Sequence, residues 1–280
     1  MRIATACGGL PALVVISACA LRAAAADSPR HTAALADLGV QVGLSSPAIS
    51  PDGKSIAVVT SRANYADNRF EHELLLVDSA SGARRVLATA HAAIDSPRWS
   101  PSGGQLAWLA SDEGGVTQIH VVSSRQDGAQ PVRLTEVANG VLNNWRGSSR
   151  FEWSPDGRFI AFMTADPPQA LPGEERHNKS FEVSDNDYLA TAAPASFHAW
   201  IVSAEGGPPR RLTSGVDSLT GLGWLEHGDS LVIASQPRPH NSDLDYAEFL
   251  HLSSATTALE TVDVASGRRQ VLLPSARILS

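Results

Sequence analysis

Cysteine is almost absent from this sequence: its two copies, Cys7 and Cys19, both stand near the amino terminus. The chain beyond residue 26 can therefore form no disulfide, and it has no thiol for metal binding or nucleophilic catalysis. Its stability must come from the burial of apolar side chains. A hydrophobic content of 43% is enough to supply such a core.

Runs of basic residues are also missing. Lys and Arg total 22 against 29 Asp and Glu, so the formal net charge is −7. A chain without a basic stripe cannot neutralise successive phosphates. We therefore expect no nucleic-acid partner.

The familiar motifs of catalytic, metal and nucleotide sites are missing as well. The sequence has no Gly-x-Ser-x-Gly nucleophile elbow and no His-Glu-x-x-His zinc motif. Its nine histidines are scattered without metal-ligand spacing, and no glycine loop is placed to hold a phosphate. We predict no catalytic residue, no metal site and no cofactor, and we expect the chain alone to be inactive.

The only long apolar run lies at the amino terminus. Residues 1–26 begin with Arg2, continue through an apolar stretch and end in three alanines before Asp27, which is the pattern of a signal peptide. Gly8, Gly9 and Pro11 interrupt the run, so it predicts no membrane span. We expect export to the periplasm or the extracellular space. An alternative is a lipoprotein box at residues 16–19, which would leave the protein anchored through Cys19.

The chain does contain a motif that occurs four times. In each copy a bulky residue precedes a tight turn, and an apolar triplet begins six residues after the first turn residue. Proline presets φ, Asp or Ser can bond the local backbone, and Gly accepts a left-handed conformation, so each copy predicts a hairpin. The first three turns are Ser50-Pro51-Asp52-Gly53, Ser100-Pro101-Ser102-Gly103 and Ser154-Pro155-Asp156-Gly157, and Leu225-Glu226-His227-Gly228 is the fourth.

Each copy continues with a third strand, a polar turn containing glycine, and a fourth strand. Four short antiparallel strands, repeated at a spacing of about 50 residues or more, are typical of β-propeller blades. A β-sandwich would not require the same motif in every unit. We predict an all-β protein with a lead-in segment at 27–44 and a partial propeller at 45–280. Its four blades are expected at about 45–90, 94–138, 149–215 and 219–274.

With these repeats in place, the chain resembles the N-terminal propeller of prolyl oligopeptidase family serine peptidases, in the dipeptidyl-peptidase and acylaminoacyl-peptidase branch. The resemblance rests on the Trp-Ser-Pro-Asp-Gly copies, on "RRLTSG" from Arg210 and on the stretch from Phe181 to Thr213. It implies a propeller that gates and shapes access of peptide substrates to a separate α/β-hydrolase domain, which has no counterpart here. The turn motif alone would also fit a stand-alone TolB-like periplasmic propeller that acts as a protein-binding scaffold.

The resemblance further implies a ring larger than four blades. We therefore expect an incomplete, open ring whose exposed edges bind a protein partner or self-associate. Some members of this branch bind the free amine of the substrate with paired glutamates in a propeller insertion. Glu174 and Glu175, in the insertion of the third blade, are the matching candidates. Their place after Pro172-Gly173 also suits the start of a helix, where acidic residues are common, and the structural interpretation is the one we favour.

Overall fold

The computed structural model describes residues 35–90, 92–126, 128–142, 151–167, 196–215, 218–236 and 257–276. Within these ranges the regular elements are one short 3-10 helix, Leu35–Val40, and β-strands that form four sheets. Sheet 1 holds β1 (Val42–Ile49), β2 (Ser55–Asn64), β3 (Arg69–Asp78) and β4 (Arg84–Ala90). Sheet 2 holds β5 (Ile94–Trp99), β6 (Gln105–Ser111), β7 (Thr117–Ser123) and β8 (Val132–Arg133). Sheet 3 holds β9 (Phe151–Trp153), β10 (Phe159–Ala165), β11 (Phe197–Ser203) and β12 (Arg210–Arg211). Sheet 4 holds β13 (Ser218–Trp224), β14 (Ser230–Gln236), β15 (Thr257–Asp263) and β16 (Arg269–Ala276).

All four sheets are built in the same way. Each contains four strands, and each strand pairs antiparallel with the next strand along the chain. The predicted all-β fold with four-stranded antiparallel blades is thereby confirmed.

The repeated turns connect the first and second strands of each sheet. In sheet 3, the amide of Gly157 donates to the carbonyl of Ser154 at 2.8 Å, and Gly157 has a φ of 72°. The hydroxyl of Ser154 accepts from the amide of Phe159 at 2.9 Å and donates to Asp156 at 2.6 Å. That hydrogen bond is the main reason why the pKa of Asp156 is lowered to about 2. The serine of the motif therefore fastens the end of the hairpin.

The hydrophobic core is divided among the contacts between successive sheets. One apolar cluster joins sheets 1 and 2, a second joins sheets 2 and 3, and a third joins sheets 3 and 4. No cluster in the described ranges joins sheet 4 back to sheet 1. The four blades therefore form an open arc, in agreement with the predicted open ring.

One tryptophan hydrogen bond recurs at every contact between sheets. The indole Nε1 of Trp99 donates to the carbonyl of Ala48 at 3.0 Å, so that sheet 2 is bound to the first strand of sheet 1. Trp153 donates to the carbonyl of Arg98 at 3.1 Å. Trp224 donates to the carbonyl of Glu152 at 3.0 Å. We call each of these sheet-to-sheet contacts a joint.

The turn glycine strengthens each joint. A Cβ built on Gly103 would lie 3.4 Å from Cδ of Pro51, and one built on Gly157 would lie 3.6 Å from Cδ of Pro101. The proline of one turn thus packs against the glycine of the next. The same contact joins Gly228 to Pro155 at 3.4 Å.

No helix in the part of the chain that the structure covers has the length and apolarity needed to cross a bilayer.

Candidate functional site

The first strands of neighbouring sheets lie side by side and line a groove of about 660 Å³, here called the central groove. Its walls come from β1, β5, β9 and the turns that follow β1 and β5. Two tryptophans, three Ser-Pro pairs, one cation and one carboxylate meet in it. The lining residues are Ser46, Pro47, Ala48, Ile49, Pro51, Ser96, Pro97, Arg98, Trp99, Ser100, Pro101, Glu152 and Trp153.

Backbone irregularities shape one wall of the central groove. Ser46 and Ser96 hold equivalent places in β1 and β5 and have positive φ angles of 50° and 53°, which non-glycine residues rarely adopt. The pairing register shifts at both places. The carboxylate of Asp95 accepts from the hydroxyl of Ser46 at 2.7 Å and from the amide of Ser96 at 2.6 Å. One acidic side chain therefore fixes two strained positions, of the kind that often lie at binding sites.

The groove also holds a cation and an anion that form no ion pair with each other or with another described residue. The guanidinium of Arg98 lies 6.0 Å from the centre of the Phe151 ring, and it makes no hydrogen bond or ion pair to another described residue. The carboxylate of Glu152 on the next strand is likewise unpaired within the described ranges, and its Oε2 lies 3.7 Å from the position that a Cβ on Gly223 would take. Two unpaired opposite charges on neighbouring strands could bind the two ends, or two polar groups, of a small peptide.

A second polar group lies in sheet 3. Asp166 follows β10, and its carboxylate lies 3.1 Å from Nε2 of His198 and 3.1 Å from a guanidinium nitrogen of Arg211. Nδ1 of His198 lies 3.3 Å from the hydroxyl of Thr213, which accepts from the amide of Ala199 at 2.9 Å. We call these four side chains, those of Asp166, His198, Arg211 and Thr213, the histidine cluster.

The histidine cluster has the order acid, imidazole, hydroxyl, but it is not arranged for nucleophilic catalysis. His198 and Thr213 are 1% and 2% exposed, so no substrate can reach the hydroxyl. Burial lowers the pKa of His198, and the charge of Arg211 lowers it further. Sheet 2 has the same construction without a histidine, because Thr135 accepts from the amide of Ile119 and donates to Gln118. The arrangement is therefore a repeated structural device.

Sheet 4 carries a buried ion pair close to this cluster. Glu260 is 6% exposed, and both of its oxygens accept from the guanidinium of Arg269 at 2.7 Å. Ser235 donates to the same carboxylate at 2.7 Å. The hydrogen bonds from Arg269 lower the pKa of Glu260. Because Arg269 also donates to the carbonyl of Ser214, this pair contributes to the joint between sheets 3 and 4.

The predicted amine-binding residues, Glu174 and Glu175, lie outside the described residues, so their role stays a prediction. The turn residues of the repeats lie on the hairpins described above, and of those in the first two turns Pro51, Ser100 and Pro101 also border the central groove. Neither Arg98 nor Glu152 was expected from the sequence. A signal for them exists: both stand two residues before the turn serine, where the copies differ in charge. No group of three or more metal-ligating side chains occurs in the described ranges.

Comparison with known proteins gives the following relatives. Residues 28–171 match the family model described as the lipoprotein LpqB beta-propeller domain. The chain is 28% identical over 124 residues to an uncharacterized peptidase, YuxL, of Bacillus subtilis, a match that covers 44% of this chain and 18% of that protein. It is 24% identical over 209 residues to dipeptidyl-peptidase 5 of Porphyromonas endodontalis, covering 71% of this chain and 26% of that protein. The matched region is thus about a quarter or less of the length of these peptidases.

Solved structures share the fold. The β-propeller domain of the trilobed protease of Pyrococcus furiosus, which has an open velcro topology, aligns with a TM-score of 0.53 at 17% identity, over 85% of this chain and 59% of that one. The acylaminoacyl peptidase of Pyrococcus horikoshii aligns with a TM-score of 0.54 at 17% identity, over 86% of this chain and 34% of that one. Together with the curated relatives, these matches confirm the resemblance to propellers of this peptidase family.

Proposed function

Because the chain belongs to the family of the lipoprotein LpqB β-propeller domain, we propose that it is the non-catalytic propeller portion of an exported peptidase of the prolyl oligopeptidase family. In this role it admits peptides through the central groove and holds them on their way to a hydrolase domain. Glu174 and Glu175 remain proposed ligands for a substrate amine.

The observation that carries this proposal is the central groove with its unpaired charges. Arg98 can donate two parallel hydrogen bonds to a carboxylate, and Glu152 can accept from an ammonium group. The indoles of Trp99 and Trp153 border the same space. A groove of about 660 Å³ can take a short extended peptide but not a folded protein, which is the selection expected of a propeller that controls access. The likeness to a dipeptidyl-peptidase over 71% of the chain supports the same substrate class.

Binding of a short peptide tests the groove directly. Tetra-alanine with free termini, titrated into the purified chain, should quench or shift tryptophan fluorescence and saturate in the millimolar range. Removing one of the two charges, by Arg98→Met or Glu152→Gln, should weaken binding roughly tenfold, as expected for a hydrogen bond to a charged group. Arg84→Met, an exposed arginine on β4, is the matched control and should leave binding unchanged.

Two outcomes would contradict the proposal. Tetra-alanine binding that is equally strong in Arg98→Met, Glu152→Gln and the control would show that the groove is not the site. Release of product from a dipeptide anilide by the purified chain, blocked by a serine-directed phosphonate, would show that the chain is itself a peptidase.

A further inference from the structure

Among the described residues, no sheet packs on the outer face of sheet 1 or on that of sheet 4, the two ends of the arc. On sheet 1 the uncovered face, here called the leading face, points away from sheet 2. The strand register places two apolar rows across it: Ile49, Ile56 and Val77 form one row, and Val58, Leu75 and Val86 form the other. Ile49 is 67% exposed and Val86 is 49% exposed.

On sheet 4 the uncovered face, here called the trailing face, points away from sheet 3. Gly223 and Val232 lie in one of its rows, and Ala234, Leu259 and Leu273 lie in the next. Leu273 is 60% exposed. The row of Gly223 and Val232 continues outward into Thr261 and Gln270.

These two faces repeat the two halves of an internal joint. On sheet 1 the face that receives sheet 2 carries Ala48 and Ala57 in one row and Val59, Leu74 and Ala88 in the next. The trailing face has the same positions filled by Gly223, Val232, Ala234, Leu259 and Leu273.

The leading face matches the other half of the joint. On sheet 2 the face that enters the joint carries Trp99, Leu106 and Val122 in one row. The corresponding row of the leading face is Ile49, Ile56 and Val77. A trailing face and a leading face therefore have the complementary patterns that already pack together inside the chain.

We propose that two copies of the chain associate head to tail, with the trailing face of each on the leading face of the other, and so close a ring of eight sheets. Such a pair uses both free faces of both copies, and cyclic closure leaves no sheet face exposed. Eight blades lie within the range of known propellers.

Sheets 1 and 4 each carry a residue that departs from the repeat motif, and both departures are compatible with the proposed joint between copies. Ile49 stands where the other sheets have tryptophan, so the leading face brings no indole that would need an acceptor. Glu226 stands where the other turns have proline, and at the new joint it would meet Gly53 and its neighbour Lys54 of the other copy. No side chain or backbone atom lies near the Cβ position of Gly53 in the described structure. An acidic and a basic residue thus face each other where the internal joints have proline and glycine.

Sedimentation of the full chain over a range of concentrations tests the association. We expect a monomer to dimer equilibrium with no larger species. Ile49→Arg places an unpaired charge in both joints of the ring and should weaken dimerisation roughly hundredfold. Val132→Arg, which changes an exposed residue on β8 of sheet 2, is the matched control and should leave the equilibrium unchanged.

Charge reversal tests the head-to-tail geometry without disturbing any buried residue. Lys54→Glu alone or Glu226→Lys alone should weaken the dimer roughly tenfold, because two joints each exchange an attraction for a repulsion. The double variant should regain the affinity of the original protein.

The proposal is wrong if the protein stays monomeric at every concentration or if the dimer is indifferent to Ile49→Arg. A dimer that the double charge variant fails to restore would indicate a contact between two leading faces, which also overturns the proposal. Open chains of three or more copies would rule out closure.

Discussion

At the scale of single residues, the histidine cluster makes the stability of sheet 3 depend on pH. Burial and the charge of Arg211 lower the pKa of His198, so the folded protein binds a proton less readily than the unfolded chain. The contribution of a neutral His198 is therefore fully present above the ordinary histidine pKa of about 6.5 and is lost as the pH falls below it.

The His198→Gln variant isolates the part of the pH-dependent stability that comes from His198. Gln118 holds the equivalent place in sheet 2, where it accepts from Thr135, so glutamine fits the local construction. We expect the free energy of unfolding of the original protein to fall more steeply than that of the variant as the pH is lowered from 7.5 to 5.5. Urea denaturation at several pH values measures this difference. Parallel curves for the two proteins would contradict the assignment.

At the scale of elements, the joints between sheets combine apolar contact with one directed hydrogen bond. Trp153→Phe keeps most of the ring in the cluster between sheets 2 and 3 but removes the donor to the carbonyl of Arg98. We expect it to lower the free energy of unfolding by about 1–2 kcal/mol, from the lost hydrogen bond and the smaller ring.

Trp200→Phe is the matched control for this change. The indole Nε1 of Trp200 is buried but has no hydrogen-bond partner in the described structure. Removing it costs no hydrogen bond, so this substitution should be milder than Trp153→Phe when both are measured by urea denaturation. Equal losses in the two variants would show that ring size, rather than the hydrogen bond, stabilises the joint.

A strand or turn could be predicted from the sequence where the residues that determine it are close together in the chain. The Ser-Pro-x-Gly turns and the apolar triplets after them lie close together in the chain, and they located the hairpins. The outer strands β8 and β12 are only two residues long. The sequence shows that Arg-Leu-Thr occurs in both units. It does not show that the threonine hydroxyl accepts a hydrogen bond from a main-chain amide of the neighbouring strand.

The candidate site was less predictable because its members are distant in sequence. Asp166 and His198 stand at opposite ends of an insertion, and nothing local indicates that they meet. Arg98 and Glu152 come together only because the first strands of successive sheets lie side by side. The residue type at this position differs from one repeat to the next. A search for a residue type that recurs in every repeat therefore does not find Arg98 and Glu152.

At the scale of the whole molecule, each sheet shares its core only with its neighbours in the arc. Stability in such a construction is close to a sum of unit and joint contributions. Sheets 2 and 3 have two joints each, and sheets 1 and 4 have one each. The middle of the arc should therefore open less often than its ends.

Hydrogen exchange of the monomeric Ile49→Arg variant tests this gradient. Amides of β6 and β10 should exchange more slowly than the equivalent amides of β2 and β14. In the original protein at high concentration, the added joints should slow exchange in β2 and β14. Uniform protection of all four sheets in the variant would show that the arc unfolds as a single unit.

The joints have one further consequence, for how such a chain can change over time. In each joint the acceptor is a main-chain carbonyl, at Ala48, Arg98 and Glu152. Any amino acid that does not distort the strand supplies that oxygen. The hydrogen bond of the joint therefore places no constraint on the side chain at this position. Evolution can thus redraw the charges along the inner wall, blade by blade, while the scaffold stays the same.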